Sequence, residues 1–280
     1  TMIRIGYNKL LKGGASMNKI QTCNQIELAY SDEGEGIPII LIHGLDGNSA
    51  GFQDLKNELK QTHRVITYDV RGHGKSSRSE SYDLKDHVED LSHLMDALNV
   101  SSAHILGHDM GGIIGREFTE TYQYRTISLT IISAKREDIT HGFTKLMVDN
   151  QEEIAGFNKA EAMIILFPKL FKQQDNTMKW YQRQKLYSRP TPEDSAIAVR
   201  ALLNHVDMIK DVHHKVTVPT LLVNGKHDPL IMDKTHFRID SYFENIKKYI
   251  FDESGHAPHI EEPDKFLDIY LDFIKLEENA

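Results

Sequence analysis

The stretch that constrains this chain most is Ala103-His104-Ile105-Leu106-Gly107-His108-Asp109-Met110-Gly111-Gly112-Ile113-Ile114-Gly115. Its first half is a short apolar run closed by glycine, which predicts a buried strand. Its second half sets apolar residues among glycines, which predicts a helix packed closely against that strand. Only a very tight turn fits between the two. Gly107-His108-Asp109-Met110-Gly111 has the spacing of a G-x-S-x-G turn, in which small flanking residues let a strained strand-to-helix corner lift one side chain into a pocket. Here that side chain is a carboxylate, not a hydroxyl. The plainer role for Asp109 is a helix N-cap, because its oxygens can accept the free N–H groups of a first turn.

Composition narrows the classes of partner. With 280 residues and 40% hydrophobic content the chain can bury a sizeable core, as one large α/β domain or a domain carrying an insertion. A net charge of −8 argues against a nucleic-acid partner, since phosphate binding needs clustered Lys and Arg. No apolar run is long enough to span a bilayer. Cys23 is the single cysteine, so no internal disulfide framework exists, which fits a reducing, cytoplasmic setting. Residues 1–16 carry Arg4, Lys9 and Lys12 without an acid and end in Gly13-Gly14-Ala15-Ser16. They read as a leader or an appended segment, with the natural start expected at Met17.

From there the chain alternates. Two short strands are expected between Asn18 and Tyr30, with a turn at Asp32 to Gly36, and a third strand over Ile37 to Ile42 that leads into His43-Gly44-Leu45. A helix over Gly51 to Lys60 and a strand over Val65 to Val70 follow. Gly74-Lys75-Ser76 superficially matches the end of a phosphate-binding loop, but that motif needs glycine where this chain has Asp69, so nucleotide binding is rejected. A helix carrying Val88, Leu91, Leu94, Met95 and Leu98 precedes the strand and turn described first, and Ile127 to Ile132 is the next strand. Roughly eighty residues then pass without a convincing strand, too many for a simple connection. Helical periodicity at Thr144 to Ile154, Ala160 to Phe171, Thr177 to Tyr187 and Pro192 to Asp211 marks an inserted helical cap. Strands at Val218 to Asn224 and Lys247 to Phe251 and a helix at Pro263 to Leu276 complete the chain. The expected architecture is α/β: a mainly parallel eight-stranded sheet covered on both faces, with a core over residues 17–134 and 217–280 and a cap over 135–216.

Two further segments fall where a catalytic triad needs them. Asp228 and His256 each follow a strand, at the carboxyl edge where open α/β sheets bind ligands. Nucleophile, acid and base thus come in the chain order Asp109, Asp228, His256. With His43-Gly44, Asp69 to Ser76, Gly107 to Gly111, Gly225 to Asp228 and Gly255-His256 in place, the sequence resembles the α/β-hydrolase fold family from Met17 to Ala280. Asp109 at the corner resembles the epoxide hydrolases and the haloalkane or haloacetate dehalogenases, while His108, Met110, Gly111 and Gly112 look like the serine branch.

The resemblance implies a cofactor-independent hydrolase acting on a small molecule. An ionised carboxylate can displace a leaving group from a saturated carbon, giving an enzyme ester. His256, oriented by Asp228, would then activate water to hydrolyse the ester, with the backbone N–H groups of Leu45 and Met110 as the oxyanion hole. Departures from the branch patterns leave the substrate open. Met110 stands where haloalkane dehalogenases resembling this turn carry a halide-binding Trp, and Leu45 where they carry a second halide donor. Met110 and Ile113 cannot supply the arginines of haloacetate dehalogenases. Asp46 stands where epoxide hydrolases have proline. His43, Trp180, Tyr181 and Tyr187 are pocket candidates, the tyrosines as donors to an opening oxygen, although aromatic residues also simply pack. His259 is a rival base, and Lys135-Arg136-Glu137-Asp138 offers a rival acid.

No metal site is expected: there is no H-E-x-x-H, and the pairs His213-His214 and His256/His259 lack a third ligand nearby in sequence. Two other functions compete. One is a serine-type carboxylesterase or carbon–carbon hydrolase scaffold whose serine is replaced by Asp109. The other is a binding relative that turns nothing over, although the acid–base pair Asp228 and His256 is superfluous in a pure receptor.

Overall fold

The computed structural model describes residues 17–22, 25–134, 139–206, 215–231 and 243–278. Chain order runs β1 (Asn18–Gln21), β2 (Glu27–Glu33), β3 (Pro38–Ile42), a 3-10 turn at Ser49–Phe52, α1 (Gln53–Leu59), β4 (Arg64–Tyr68), α2 (Leu84–Ala97), β5 (Ala103–His108), α3 (Met110–Thr121) and β6 (Thr126–Ile132). Between β6 and β7 come α4 (Ile139–Asp149), α5 (Lys159–Leu166), a 3-10 turn at Phe167–Leu170, α6 (Gln174–Tyr187) and α7 (Pro192–Val206). The chain then forms β7 (Thr220–Gly225), β8 (Ile246–Phe251), α8 (Pro258–Glu261) and α9 (Pro263–Glu278). Cys23, Lys135 to Asp138, His213 and His214 lie outside the described residues.

The eight strands form one sheet in the order β1-β2-β4-β3-β5-β6-β7-β8. Only the pairings of β1 with β2 and of β2 with β4 are antiparallel. The reason the inner strands read as unbroken apolar runs is visible in their packing: both faces are covered. In β3, Ile40 and Ile42 join the cluster beneath α2 and α3, with Leu91, Leu94 and Phe118. Ile39 and Leu41 point the other way, to Leu55 and Leu59 of α1 and Phe266, Tyr270 and Phe273 of α9. Alternation of period two thus distributes one strand between two cores. A third apolar cluster, Leu146, Leu166, Leu170 and Phe171 with Leu230 and Ala257, joins the inserted helices to the loops after β7 and β8.

Several expected boundaries shift; the helix expected over Ala160 to Phe171, for example, ends at Leu166 and continues as a 3-10 turn. β2 continues to Glu33, into the expected turn, because Glu33 still pairs with Val65 and its carboxylate is held by Lys56 and Lys60. The segment expected to open a helix at Gly51 starts instead as a 3-10 turn, whose N-cap Asn48 accepts the Ala50 N–H. The first inserted helix runs over Ile139–Asp149, ahead of the expected Thr144 to Ile154.

Candidate active site

The corner after β5 is as tight as its sequence demands. One residue, Asp109, separates the end of β5 at His108 from the start of α3 at Met110. Its backbone takes φ 52° and ψ −120°, a left-handed conformation that costs a non-glycine residue about 1–3 kcal/mol. Neighbouring main chain enforces it: the Asp109 N–H donates to the Ile132 carbonyl at 3.0 Å, and the Gly112 N–H donates to the Asp109 carbonyl at 2.9 Å. A side chain could not occupy either flanking glycine, since a Cβ on Gly107 would lie 2.1 Å from the Gly111 oxygen and one on Gly111 would lie 2.0 Å from the Ile42 oxygen.

Asp109 stands at the N-cap position but makes no side-chain bond to its helix. Its carboxylate instead reaches across to the turn after β3, where Oδ2 accepts the Leu45 N–H at 2.8 Å. The capping role is therefore not the one this carboxylate plays. Met110, the other expected oxyanion donor, is the first residue of α3 and is buried.

Asp228 and His256 come together as the sequence spacing anticipates. His256 Nδ1 donates to Asp228 Oδ2 at 2.9 Å, and Asp228 Oδ1 accepts the Leu230 N–H at 2.8 Å, so the acid is fixed by its own loop. With Nδ1 so engaged, Nε2 faces Asp109 Oδ1 at 3.8 Å. Asp228 is fully buried and the His256 side chain is 7% exposed, while the Asp109 side chain remains 29% exposed. Burial alone would pull the imidazole pKa down, but the carboxylates of Asp228 and Asp109 outweigh it and raise His256 to about 9. His256 thus holds a proton between two carboxylates.

His259, the rival base, packs elsewhere. Its ring lies 4.7 Å from that of His108 and 5.5 Å from that of Phe52, and burial holds its pKa well below the usual value. His108 is also kept neutral, chiefly by burial and then by its neighbour His256, with a pKa near 4. Its Nε2–H donates to the His256 carbonyl at 2.9 Å, tying the corner to the loop of the base.

The expected pocket residues are largely committed to the frame. His43 donates from Nδ1 to the Gly44 carbonyl at 2.9 Å and accepts the Val70 N–H at Nε2 at 3.1 Å, which uses both ring nitrogens. The Trp180 indole N–H donates to the Gly51 carbonyl at 2.9 Å, with its ring edge-on to His108 at 6.0 Å. The Tyr187 hydroxyl donates to Asp69 at 2.9 Å, so it is not poised as a proton donor toward Asp109. Tyr181 lies against Phe167, with ring centroids 4.1 Å apart, and beneath the Lys185 ammonium at 5.0 Å.

Two buried carboxylates of the frame were given no role from the sequence. Asp69 accepts the Ser49 and Lys75 N–H groups, each at 2.8 Å, and so closes the turn that superficially looked like a phosphate loop. Glu261 accepts the N–H groups of Gly255 and Ala257, the residues on either side of His256, and also those of Lys172 and Gln173 at the start of the α6 region. A visible cue was present: Glu261 follows His256 in the same loop-to-helix run, His256-Ala257-Pro258-His259-Ile260-Glu261. Among the described residues no group of three or more His, Cys, Asp or Glu side chains could hold a metal ion. No described helix is long and apolar enough to cross a membrane.

The fold agrees with the comparisons. The chain is 28% identical over 246 residues to 3-oxoadipate enol-lactonase 1 of Acinetobacter baylyi, covering 86% of this chain and 90% of that one. To the proline iminopeptidase of Heyndrickxia coagulans it is 28% identical over 269 residues, covering 88% of this chain and 93% of that one. Among solved structures, a thermophilic esterase from Thermogutta terrifontis superposes with a TM-score of 0.74 at 24% identity, covering 94% of this chain and 99% of that one, a likeness of fold. A family model described as the alpha/beta hydrolase fold matches residues 37–263, and with the parallel sheet and the loops that end it the chain belongs to the alpha/beta hydrolase fold family.

Proposed function

We propose that this protein is a cofactor-independent hydrolase in which Asp109 is the nucleophile. The observation that carries the reading is the division of labour between the two oxygens of Asp109: Oδ2 is held by the Leu45 N–H at 2.8 Å, and Oδ1 faces the base at 3.8 Å. A substrate of the epoxide or alkyl halide class is attacked at carbon by Oδ1. The C–O or C–X bond breaks, its electron pair leaves with the oxygen or halide, and an ester of Asp109 remains. Water then loses a proton to His256 Nε2 and adds to the ester carbonyl, while the Leu45 and Met110 N–H groups stabilise the oxyanion. Collapse expels the alkoxide, which takes the proton from His256 and leaves as an alcohol. In this reading residues 135–216 cover the site as a cap over a core of residues 17–134 and 217–280.

The charge on His256 suits the order of these steps. Displacement at carbon needs no base, and an imidazolium beside the carboxylate does not obstruct it. Esterification then neutralises Asp109 and removes one of the charges that raise the His256 pKa, so the ring releases its proton to solvent, or to the alkoxide of an opened epoxide, before it takes one from water. The Asp109 carboxylic acid left at the end returns a proton to the ring and restores the resting pair. Because the Tyr187 hydroxyl is engaged by Asp69, Tyr181 is the remaining hydroxyl of the pair for an opening epoxide. A halide leaves without one.

A second reading is favoured by the relatives, named as a lactonase, an iminopeptidase and an esterase. Here the frame is that of a serine-type acyl hydrolase, with Asp109 standing in place of the serine. The deciding experiment uses His256→Gln, incubated separately with epoxides, haloalkanes and p-nitrophenyl esters and followed by intact mass. An alkyl adduct mapping to Asp109 supports the first reading and identifies the leaving-group class. No adduct, together with strong esterase activity gained by Asp109→Ser, replaces it with the second. Tight ligand binding without turnover or adduct would mark a binding relative.

A further inference from the structure

We propose that Gln184, with Trp180 one turn before it on α6, is a positioning residue that aims the Leu45 N–H at Asp109. This deepens the reading above and rests on its assignment of Leu45 as an oxyanion donor.

The turn carrying Leu45 lies between the end of β3 at Ile42 and the 3-10 turn at Ser49, so no strand or helix fixes its peptide planes. On its inner side His43 bonds the Gly44 carbonyl and the Val70 N–H, and the Gly47 N–H donates back to the Gly44 carbonyl at 3.1 Å. Asp46, directly after the donor, takes φ 57°, which a non-glycine residue holds only when its surroundings insist. Those surroundings belong to the inserted helices. Gln184 Oε1 accepts the Asn48 N–H at 3.1 Å, and the Gln184 carbonyl accepts the Asn48 Nδ2–H at 3.0 Å. Trp180 bonds the Gly51 carbonyl, and Ser195 of α7 donates to Asp46 Oδ1 at 2.6 Å.

These contacts leave the turn little slack. Asn48 is 1% and Gln184 5% exposed, so an acceptor lost there leaves a buried N–H without water to replace it. The Gln184 side chain presses directly on the turn: a Cβ on Gly47 would lie 2.8 Å from its Oε1 and 3.0 Å from the Gly44 carbonyl oxygen. Donor direction is what an oxyanion hole sells to the reaction, since its N–H must point at developing charge before that charge appears. The outer wall of this one is a helix more than a hundred residues away in sequence.

The test compares two near-isosteric variants in the whole protein. Gln184→Met removes the acceptor, and Gln184→Glu keeps it. The first readout is the amide proton of Leu45 by NMR in resting protein without substrate, which does not depend on whether Asp109 forms an ester. The expected result is an upfield move in Gln184→Met and a near-native position in Gln184→Glu. On a substrate that gives the Asp109 adduct, kcat falls in Gln184→Met on the order of tenfold, less than the 10²–10³ lost with a whole donor, at unchanged KM. If Gln184→Met does not fold, Trp180→Phe removes the Gly51 bond from the same helix, and the Leu45 amide must still move. A Leu45 amide left in place by every folded variant of the two overturns the proposal, as does a Gln184→Glu shift equal to that of Gln184→Met. Absence of any Asp109 adduct in otherwise native protein would instead sink the aspartate nucleophile, while the amide shift still judges Gln184.

Discussion

The helices between β6 and β7 meet the rest of the molecule through two kinds of chemistry. α6 lays down a row of polar anchors, Trp180 to Gly51, Gln184 to Asn48 and Tyr187 to Asp69. α4 and α5 instead press Leu146 and Leu166 into an apolar cluster with Leu230 and Ala257. Hydrogen bonds between buried groups have direction and penalise misalignment, whereas apolar burial scales with area and is indifferent to angle. The difference teaches that α6, although Trp180 also borders that cluster, holds Asn48, Gly51 and Asp69 by directional bonds, while α4 and α5 contribute cohesion.

That contrast can be broken, and the largest effect belongs to the chemistry itself. His256→Gln should slow hydrolysis of the Asp109 ester by about 10²–10⁴-fold, read as adduct persistence by intact mass, with stability nearly unchanged. Next is Leu166→Ala in the apolar half, which should lower stability by about 2–5 kcal/mol in urea unfolding through the cavity it leaves. Its kcat per folded molecule should stay near native; a collapse comparable to His256→Gln would erase the distinction between the two kinds of contact. Glu261→Gln should cost about 1–3 kcal/mol by leaving backbone N–H groups around His256 poorly paired. Unlike Leu166→Ala, it should also lower kcat, because its N–H partners flank the base.

The contrast between native protein and a single-charge variant is finer, and it is read as a pH dependence. His256 is raised from its ordinary value of 6.5 to about 9 in the folded protein. Its contribution to stability is therefore complete below about pH 6.5 and is lost as pH rises through about 9. Melting temperature measured across that window should fall in the native protein and fall less in Asp109→Asn, which lacks one of the charges responsible. Equal slopes would remove Asp109 from the account of the His256 pKa.

Much of the architecture was legible because it is written locally. Apolar runs such as Ile39 to Ile42 announce strands buried on both faces, and the two glycines around Asp109 announce a corner that admits no Cβ. The pairing of His256 with Asp228 was readable from chain order at one edge of a parallel sheet. Residues whose partners are distant backbone groups were silent. Gln184 reads as one polar residue on a helix until Asn48 arrives beside it, and Glu261 as a surface acid until Lys172 and Gln173 turn their N–H groups toward it. For the same reason Tyr187 looked like a free hydroxyl: nothing near it in sequence hints at Asp69.

The Glu261 carboxylate also bears on the order in which the molecule is assembled. Its bonds to Gly255 and Ala257 are local, but those to Lys172 and Gln173 close loops of 89 and 88 residues. Contacts of such separation are costly to form before the chain between them has condensed. The loop bearing His256 therefore acquires these restraints only when the inserted stretch docks, in step with the joining of β7 to β6, which spans the comparable separation from Leu129 to Thr220.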